Sequence, residues 1–121
     1  MTQQFQRDKP IYLQVVDTII QEIVSGIRQS GEKLPSVREY AIEVGVNPNT
    51  IQRVYRELDQ RQITITKRGQ GTFVTEDSRL ITQVREELKK QYVDQFVEDM
   101  EALGFSKEEI ILSLKEGEHD A

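Results

Sequence analysis

The segment SVREYAIEVGVNPNTIQRVYREL, residues 36–58, constrains the fold more than any other part of the chain. Ser36 followed three residues later by Glu39 forms a capping box, the pattern that begins a helix. Gly45 suits the left-handed conformation that ends a helix, and Asn47, with proline after it, is suited to cap the next one. The segment therefore predicts two short helices joined by a tight turn, which is the helix-turn-helix arrangement.

The flanking segments predict a supporting helix and a hairpin. Pro10 opens a stretch with isoleucine and valine at helical spacing, which includes Ile27 and ends near Gly26 to Gly31. After the helix-turn-helix, residues 63–66 and 72–75 read as two short strands around a basic tip that contains glycine. A hairpin directly after the second helix predicts a winged helix-turn-helix.

The remainder of the chain predicts a pair of helices. Asp77 and Ser78 offer helix-starting side chains, and Gly104 marks the end of a long amphipathic helix. Ser106 and Glu109 form a second capping box, so a short last helix is expected to run to about Gly117. The predicted fold is mainly α with a small β-hairpin: a winged helix-turn-helix DNA-binding domain over residues 1–75 and a C-terminal two-helix dimerisation tail over residues 76–121.

The distribution of charge matters more than the net charge of −5. Residues 1–75 hold ten basic and eight acidic side chains, a net charge of +2, whereas residues 76–121 hold six basic and thirteen acidic ones, a net charge of −7. The acidity therefore belongs to the tail, and the first domain remains compatible with a nucleic-acid partner.

Composition excludes several classes of function. The chain has no cysteine, which removes disulfide frameworks, thiolate metal sites and cysteine nucleophiles. His119 is the only histidine and lies near the C-terminus, so neither a histidine-based catalytic centre nor a metal site is expected. We expect no enzyme activity and no cofactor. No apolar run spans a bilayer and no signal peptide is recognised, so a cytoplasmic location is expected.

The second helix of the helix-turn-helix has a polar face suited to the major groove. Gln52 and Arg53 are the candidates for reading bases, since glutamine can bond adenine and arginine guanine in bidentate fashion. Arg56 and Arg38 are the candidates for phosphate contacts, although both could be ordinary solvated charges. The first turn, Asn47 to Thr50, is expected to offer free backbone N–H groups to a phosphate, with Asn49 and Thr50 adding side-chain bonds.

The wing is expected to strengthen DNA binding through electrostatic attraction. Lys67 and Arg68 would reach phosphates or the minor groove, and Gly69 or Gly71 would allow a close approach of the backbone. Ordinary hairpin charges are the alternative interpretation.

The motifs PIYLQV, GEKLPSVRE, GVNPNTIQRVYREL and ITITKRGQGTFV, in this order between Pro10 and Val74, resemble the N-terminal domain of GntR-family regulators. The short helical tail resembles the YtrA subfamily. This resemblance implies DNA contacts at a set of positions on the second and third helices and the wing tip: Arg38, Asn47, Asn49, Thr50, Gln52, Arg53, Gly69, Gln70 and Gly71. Pro48 and Gln52 depart from residues frequent in relatives, so the base sequence that those relatives read does not transfer.

The tail carries an apolar stripe that predicts a homodimer seam, because few other packing partners remain for it. The stripe consists of Val84, Leu88, Tyr92, Phe96, Met100 and Leu103. Packing on the first domain and a small ligand pocket are the alternatives, and the sequence specifies no small-molecule effector. The expected function is a homodimeric repressor of transcription that binds an inverted repeat in double-stranded DNA, and the resemblance suggests transporter genes as targets. A protein-interaction module that uses the helical tail is the competing hypothesis.

Overall fold

The computed structural model describes residues 8–120, with side chains to Gly117, so the predictions about His119 lie outside the described side chains. It contains five helices and one hairpin: α1 (Ile11–Val24), α2 (Val37–Val44), α3 (Pro48–Gln60), β1 (Thr64–Lys67), β2 (Gly71–Val74), α4 (Ser78–Ala102) and α5 (Lys107–Asp120). This architecture confirms the predicted fold class. The chain divides into two compact units between Gln83 and Val84, inside α4. The sequence suggested a domain boundary after residue 75.

The core of the first unit lies where α1 and α2 pack against α3. Each helix contributes one apolar face, as its spacing of isoleucine, valine and leucine predicted. The four apolar positions predicted on α3 are all buried: Ile51, Val54, Tyr55 and Leu58. This packing fixes the roll of α3, so its opposite face is held toward solvent.

The predicted caps that end and begin these helices are all formed. The Ser36 hydroxyl accepts a hydrogen bond from the backbone of Glu39, and the Glu39 carboxylate accepts one from the backbone of Ser36, at 3.2 and 3.1 Å. The hydrogen bonds hold the Glu39 carboxylate in its ionised form and lower its pKa. Gly45 takes the left-handed conformation with φ of 75°, and Asn47 caps α3. The turn between α2 and α3 is therefore specified by local chemistry.

The hairpin is antiparallel, with Thr64 opposite Val74 and Lys67 opposite Gly71. The segment before α2 lies along the other edge of β2, because the backbone of Leu34 donates to Thr72 and that of Val74 donates to Glu32, both at 2.8 Å. Strand β2 is thus bonded on both edges, which ties the wing to the helical core.

The second unit holds most of α4 and all of α5. Asp77 caps α4 by accepting hydrogen bonds from the backbone of Arg79 and Leu80, both at 3.1 Å. The second capping box is confirmed, since Ser106 and Glu109 exchange hydrogen bonds at 3.1 and 3.2 Å. None of the helices among the described residues is long and apolar enough to cross a membrane.

Three element boundaries differ from the sequence prediction. Helix α1 ends at Val24, and Ile27, expected on its apolar face, lies beyond the helix and is 70% exposed. Both strands begin and end one residue away from the predicted positions. Helix α5 continues to Asp120 because Gly117 does not adopt a positive φ and therefore does not end it.

Candidate nucleic-acid interface

Helix α3 presents a polar stripe on the side opposite its buried face. Asn49, Gln52, Arg53 and Arg56 follow the i, i+3, i+4, i+7 spacing that places residues on one side of a helix, and all four are exposed. The stripe thus combines amide and guanidinium groups, which are the side chains that bond base edges in bidentate fashion. Its orientation is a consequence of the apolar face on the other side, which is buried in the core.

The backbone N–H groups in the first turn of α3 already have hydrogen-bond partners within the turn. The Asn47 side chain accepts a hydrogen bond from the backbone N–H of Asn49 at 2.7 Å, and the Thr50 N–H donates to the Asn47 carbonyl at 2.9 Å. Pro48 has no N–H to offer. The expectation of free backbone donors at this turn is therefore wrong from Pro48 to Thr50. The Asn47 amide group and the half-exposed Thr50 hydroxyl are side-chain groups at this turn that could hold a phosphate.

Arg53 has a partner that the sequence analysis did not identify. Its guanidinium carbon lies 3.7 Å from the centroid of the Tyr12 ring, which comes from the first turn of α1. This distance corresponds to a guanidinium in close contact with an aromatic face. The packing of α1 on α3 brings the two side chains together, across 41 positions of sequence.

The wing tip consists of residues 68–70, between the two strands. The backbone N–H of Gln70 donates to the carbonyl of Lys67 at 2.9 Å, and Gly69 has the positive φ, 78°, that the third residue of a type II turn requires. Open space surrounds the position of a Cβ atom at Gly69. Arg68 is exposed, and the Lys67 ammonium lies 4.9 Å from the centroid of the Phe73 ring. Arg68 on this tip and Lys67 beside it are therefore accessible cations at a short, well-defined turn.

Gly71 permits a close approach between the wing and Lys33. It has a φ of 124°, and a Cβ atom at this position would lie 2.6 Å from Cε of Lys33. Lys33 is exposed, and its backbone forms an isolated antiparallel β-bridge with that of Phe73 on β2. The structure thus adds Lys33 to the basic residues around the wing, a residue that the sequence analysis did not single out.

A hydrogen-bond network fixes the wing to the end of α3. The Asp59 carboxylate accepts hydrogen bonds from the hydroxyls of Thr64 and Thr66, both at 2.5 Å. Because the Thr66 hydroxyl has one proton and donates it to Asp59, its 2.9 Å contact with Thr72 is a bond that Thr72 donates. Asp59 therefore couples the position of the hairpin to the position of α3.

Two tyrosines hold α3 against the segment that precedes α2. The Tyr55 hydroxyl donates to the carbonyl of Pro35 at 2.7 Å, and its ring lies 6.2 Å from that of Tyr40. Burial raises the pKa of Tyr40 to about 12 and that of Tyr55 further. Both phenols are therefore neutral at physiological pH, and they hold the segment that leads to exposed Arg38 on α2.

Ion pairs divide the basic side chains of the first unit into two groups. Lys9 pairs with Asp17, Arg28 with Glu22 and Glu32, and Arg61 with Glu57. Within residues 8–83, seven other cations have no carboxylate within 4.0 Å: Lys33, Arg38, Arg53, Arg56, Lys67, Arg68 and Arg79. Six of these seven lie on α2, α3, the wing or the segment beside it.

The tail stripe is only partly covered in the single chain. Val84, Leu88 and Met100 are half-buried, whereas Tyr92, Phe96 and Leu103 are exposed, at 56%, 41% and 73%.

No group of acidic or histidine residues among the described side chains has an arrangement that could hold a metal ion.

The sequence and the fold have counterparts among known proteins. Residues 11–74, more than half of the chain, match the model of the bacterial regulatory proteins of the gntR family. The chain belongs to the GntR family. It is therefore a DNA-binding transcriptional regulator, as the sequence motifs implied, and not an enzyme.

Some relatives of this chain are similar to it in length. The HTH-type transcriptional regulator YhcF of Bacillus subtilis is 45% identical over 115 residues, which are 95% of each chain. The HTH-type transcriptional repressor YtrA of the same organism is 37% identical over 91 residues, 70% of each chain. A GntR family transcriptional regulator from Listeria monocytogenes has a structure that superimposes with a TM-score of 0.86 and 46% identity over 93% of this chain and 98% of that one. This chain is thus a short, YtrA-like GntR regulator.

Tyr12, Lys33 and Asp59 are the functional candidates that sequence reasoning missed. Asp59 had a detectable signal, because Thr64 and Thr66 alternate on one face of a strand that begins shortly after it. Tyr12 and Lys33 had none, since each meets its partner only through tertiary packing.

Proposed function

We propose that this GntR-family regulator represses transcription as a homodimer that binds an inverted repeat in double-stranded DNA. The observation that carries the proposal is the segregation of its cations. In the described part of the first unit, the paired cations are held by carboxylates of the same unit, whereas six of the seven unpaired ones lie on α2, α3, the wing or the segment beside it. An exposed cation without an acidic partner is available to replace the counterions of a phosphate backbone.

The polar stripe of α3 and the wing divide the work of recognition. Gln52 and Arg53 read base edges in the major groove, while Arg38 and Arg56 contact phosphates. Asn47, Asn49 and Thr50 fix the first turn of α3 on the DNA backbone through their side chains. Lys67 and Arg68, at a tip shaped by residues 69–71, hold phosphates or the minor groove beside it.

Dimerisation completes the proposal. One head makes too few contacts for the affinities of about 10⁻⁸ to 10⁻¹¹ M that are typical of specific binders, and two heads related by a two-fold axis engage two half-sites. The apolar stripe of the tail, residues 84–103, supplies the seam, and the exposure of Tyr92, Phe96 and Leu103 in the single chain supports this assignment.

The repressor role is supported by the likeness to YtrA, which is a repressor. A dimer that covers an operator overlapping a promoter excludes other proteins from it, which is the simplest way for a chain of this size to act. Once the operator sequence is known, it can be located in a genome, and we expect transporter genes beside it.

The experiment that tests the proposal is selection of bound sequences from a random duplex pool by the full chain at near-physiological salt. We expect one inverted repeat to be enriched, with two protomers per duplex in sedimentation analysis. Enrichment of a single half-site bound by a monomer would contradict the dimer. No enrichment by folded protein would refute sequence-specific binding and favour a protein-interaction module that uses the tail.

Variants then separate the two kinds of contact. Gln52→Ala should relax base preference, whereas Lys67→Ala and Arg68→Ala should weaken binding to all sequences and reduce the salt slope by about 1 each. Lys115→Ala, which removes an exposed cation of the tail, is the matched control and should leave the slope unchanged. Identical behaviour of the stripe and wing variants would contradict the division of roles.

A further inference from the structure

The contact between Tyr12 and Arg53 has features that a simple packing contact lacks. Arg53 belongs to the polar stripe and is exposed, yet its guanidinium carbon lies only 3.7 Å from the centroid of the Tyr12 ring. None of the described carboxylates lies within ion-pair distance of Arg53, so the aromatic ring is the group that orders its charged end. Tyr12 is half-buried and anchored on α1, which packs against α3.

The chemistry of a guanidinium makes this contact compatible with base reading. The five N–H donors of arginine lie in the plane of the group and point outward from its edges. Contact through the face therefore leaves the edge donors free for the two acceptors of a guanine. An ion pair would instead occupy those same edges. The ring thus restrains the direction of Arg53 without consuming its hydrogen bonds.

We propose that Tyr12 is a positioning residue for Arg53: its ring preorganises the guanidinium and so sets the base preference of the recognition helix. This inference rests on the proposed function, because it concerns how the polar stripe reads DNA. Residue 12 thereby becomes a specificity determinant although it lies outside the helix-turn-helix.

Preorganisation has a measurable size. Immobilising a long, flexible side chain at an interface lowers affinity by a factor of about 2 to 12, and a side chain already ordered in the free protein avoids most of that loss. Removal of the Tyr12 ring should therefore weaken discrimination at the base pair read by Arg53 by about 2- to 12-fold. Other base pairs should be unaffected.

The first measurement needs no DNA. Protons of the Arg53 side chain that lie over an aromatic face are shifted upfield by its ring current in the NMR spectrum. We expect this shift in the wild type and in Tyr12→Phe, which keeps the ring, and its loss in Tyr12→Leu, which keeps apolar bulk. Absence of the shift in the folded wild type would overturn the inference, whatever DNA the protein binds.

The second measurement uses the selected operator and all single-base changes in it. Tyr12→Leu should relax base preference at the same base pair as Arg53→Ala and should cause no further loss in the Arg53→Ala background. Tyr12→Phe should leave the base preference unchanged. Equal loss on all sequences, or loss in Tyr12→Phe, would show that the residue contacts the DNA backbone and would overturn the positioning role. If the wild type selects no sequence, the proposed function fails and this inference with it. If it selects one and Tyr12→Leu leaves the preference intact, the inference alone fails.

Discussion

Asp59 should be the residue whose loss most directly detaches the wing from the recognition helix. It accepts hydrogen bonds from Thr64 and Thr66, and Thr64 is only 2% exposed. In Asp59→Ala the Thr64 hydroxyl would remain buried without its partner, at a cost of about 1–3 kcal/mol. The bond to exposed Thr66 adds less, because water can replace it. We therefore expect the variant to lose about 2–3 kcal/mol of unfolding free energy.

Urea unfolding followed by circular dichroism, at one fixed protein concentration, measures this loss. With an m-value of about 1.5 kcal/mol/M, the midpoint should fall by roughly 1.5 M. Fixed concentration matters because assembly contributes to apparent stability. The same variant should bind the operator and random DNA more weakly by similar factors, since a loosened wing affects contacts that carry no base preference.

A double-mutant cycle with Thr64→Val identifies the cause. Valine has nearly the shape of threonine and no hydroxyl, so the pair Asp59→Ala and Thr64→Val removes both hydrogen-bonding partners together. We expect the double variant to be more stable than the sum of the single losses predicts, by about 1 kcal/mol. A loss below about 0.5 kcal/mol in Asp59→Ala, or strict additivity in the cycle, would refute the proposed anchor.

Two further predictions concern the core and the tail. Burial raises the pKa of Tyr40 to about 12, whereas an unfolded tyrosine has a pKa near 10, so the free energy of unfolding should fall as the pH rises between these values, by at most about 2–3 kcal/mol from this residue. Urea midpoints at pH 9 and 11.5 measure the fall, Tyr40→Phe should reduce it, and a flat profile would contradict the burial argument. Phe96→Glu should convert the proposed dimer to monomers that bind the operator poorly while the head stays folded. Gln91→Glu adds the same charge at an exposed polar position and should leave sedimentation unchanged, and a dimeric Phe96→Glu would place the seam elsewhere.

Features of the fold that depend on neighbouring residues were predictable from the sequence. The capping boxes at Ser36 and Ser106, the left-handed Gly45 and the Asn47 cap all form as expected. Each is specified by side chains within a few residues of the backbone group that they satisfy. The same holds for the buried face of α3, which follows from helical spacing alone.

Features that depend on competition or tertiary contact were not predictable. Ile27 fits the apolar spacing of α1, but Gly26 adopts a φ of 89° and the chain leaves the helix before it. The sequence predicts free backbone donors in the first turn of α3, but the Asn47 side chain and carbonyl accept hydrogen bonds from them. Tyr12 and Arg53 meet only because α1 packs on α3, and no local pattern encodes that meeting.

The charge of this chain illustrates why an average is a poor guide to a nucleic-acid partner. A net charge of −5 would argue against DNA, yet most of the acidity lies beyond residue 75. Even the value of +2 for the first 75 residues understates the case, because ion pairs among the described residues occupy four of its eight carboxylates but only three of its ten cations. Phosphates respond to local, unpaired charge over about a Debye length of 8–10 Å. In our proposal, the cations that bind DNA are those of the helix-turn-helix and the wing that the fold leaves without carboxylate partners, and they are identified only when each ion pair is located.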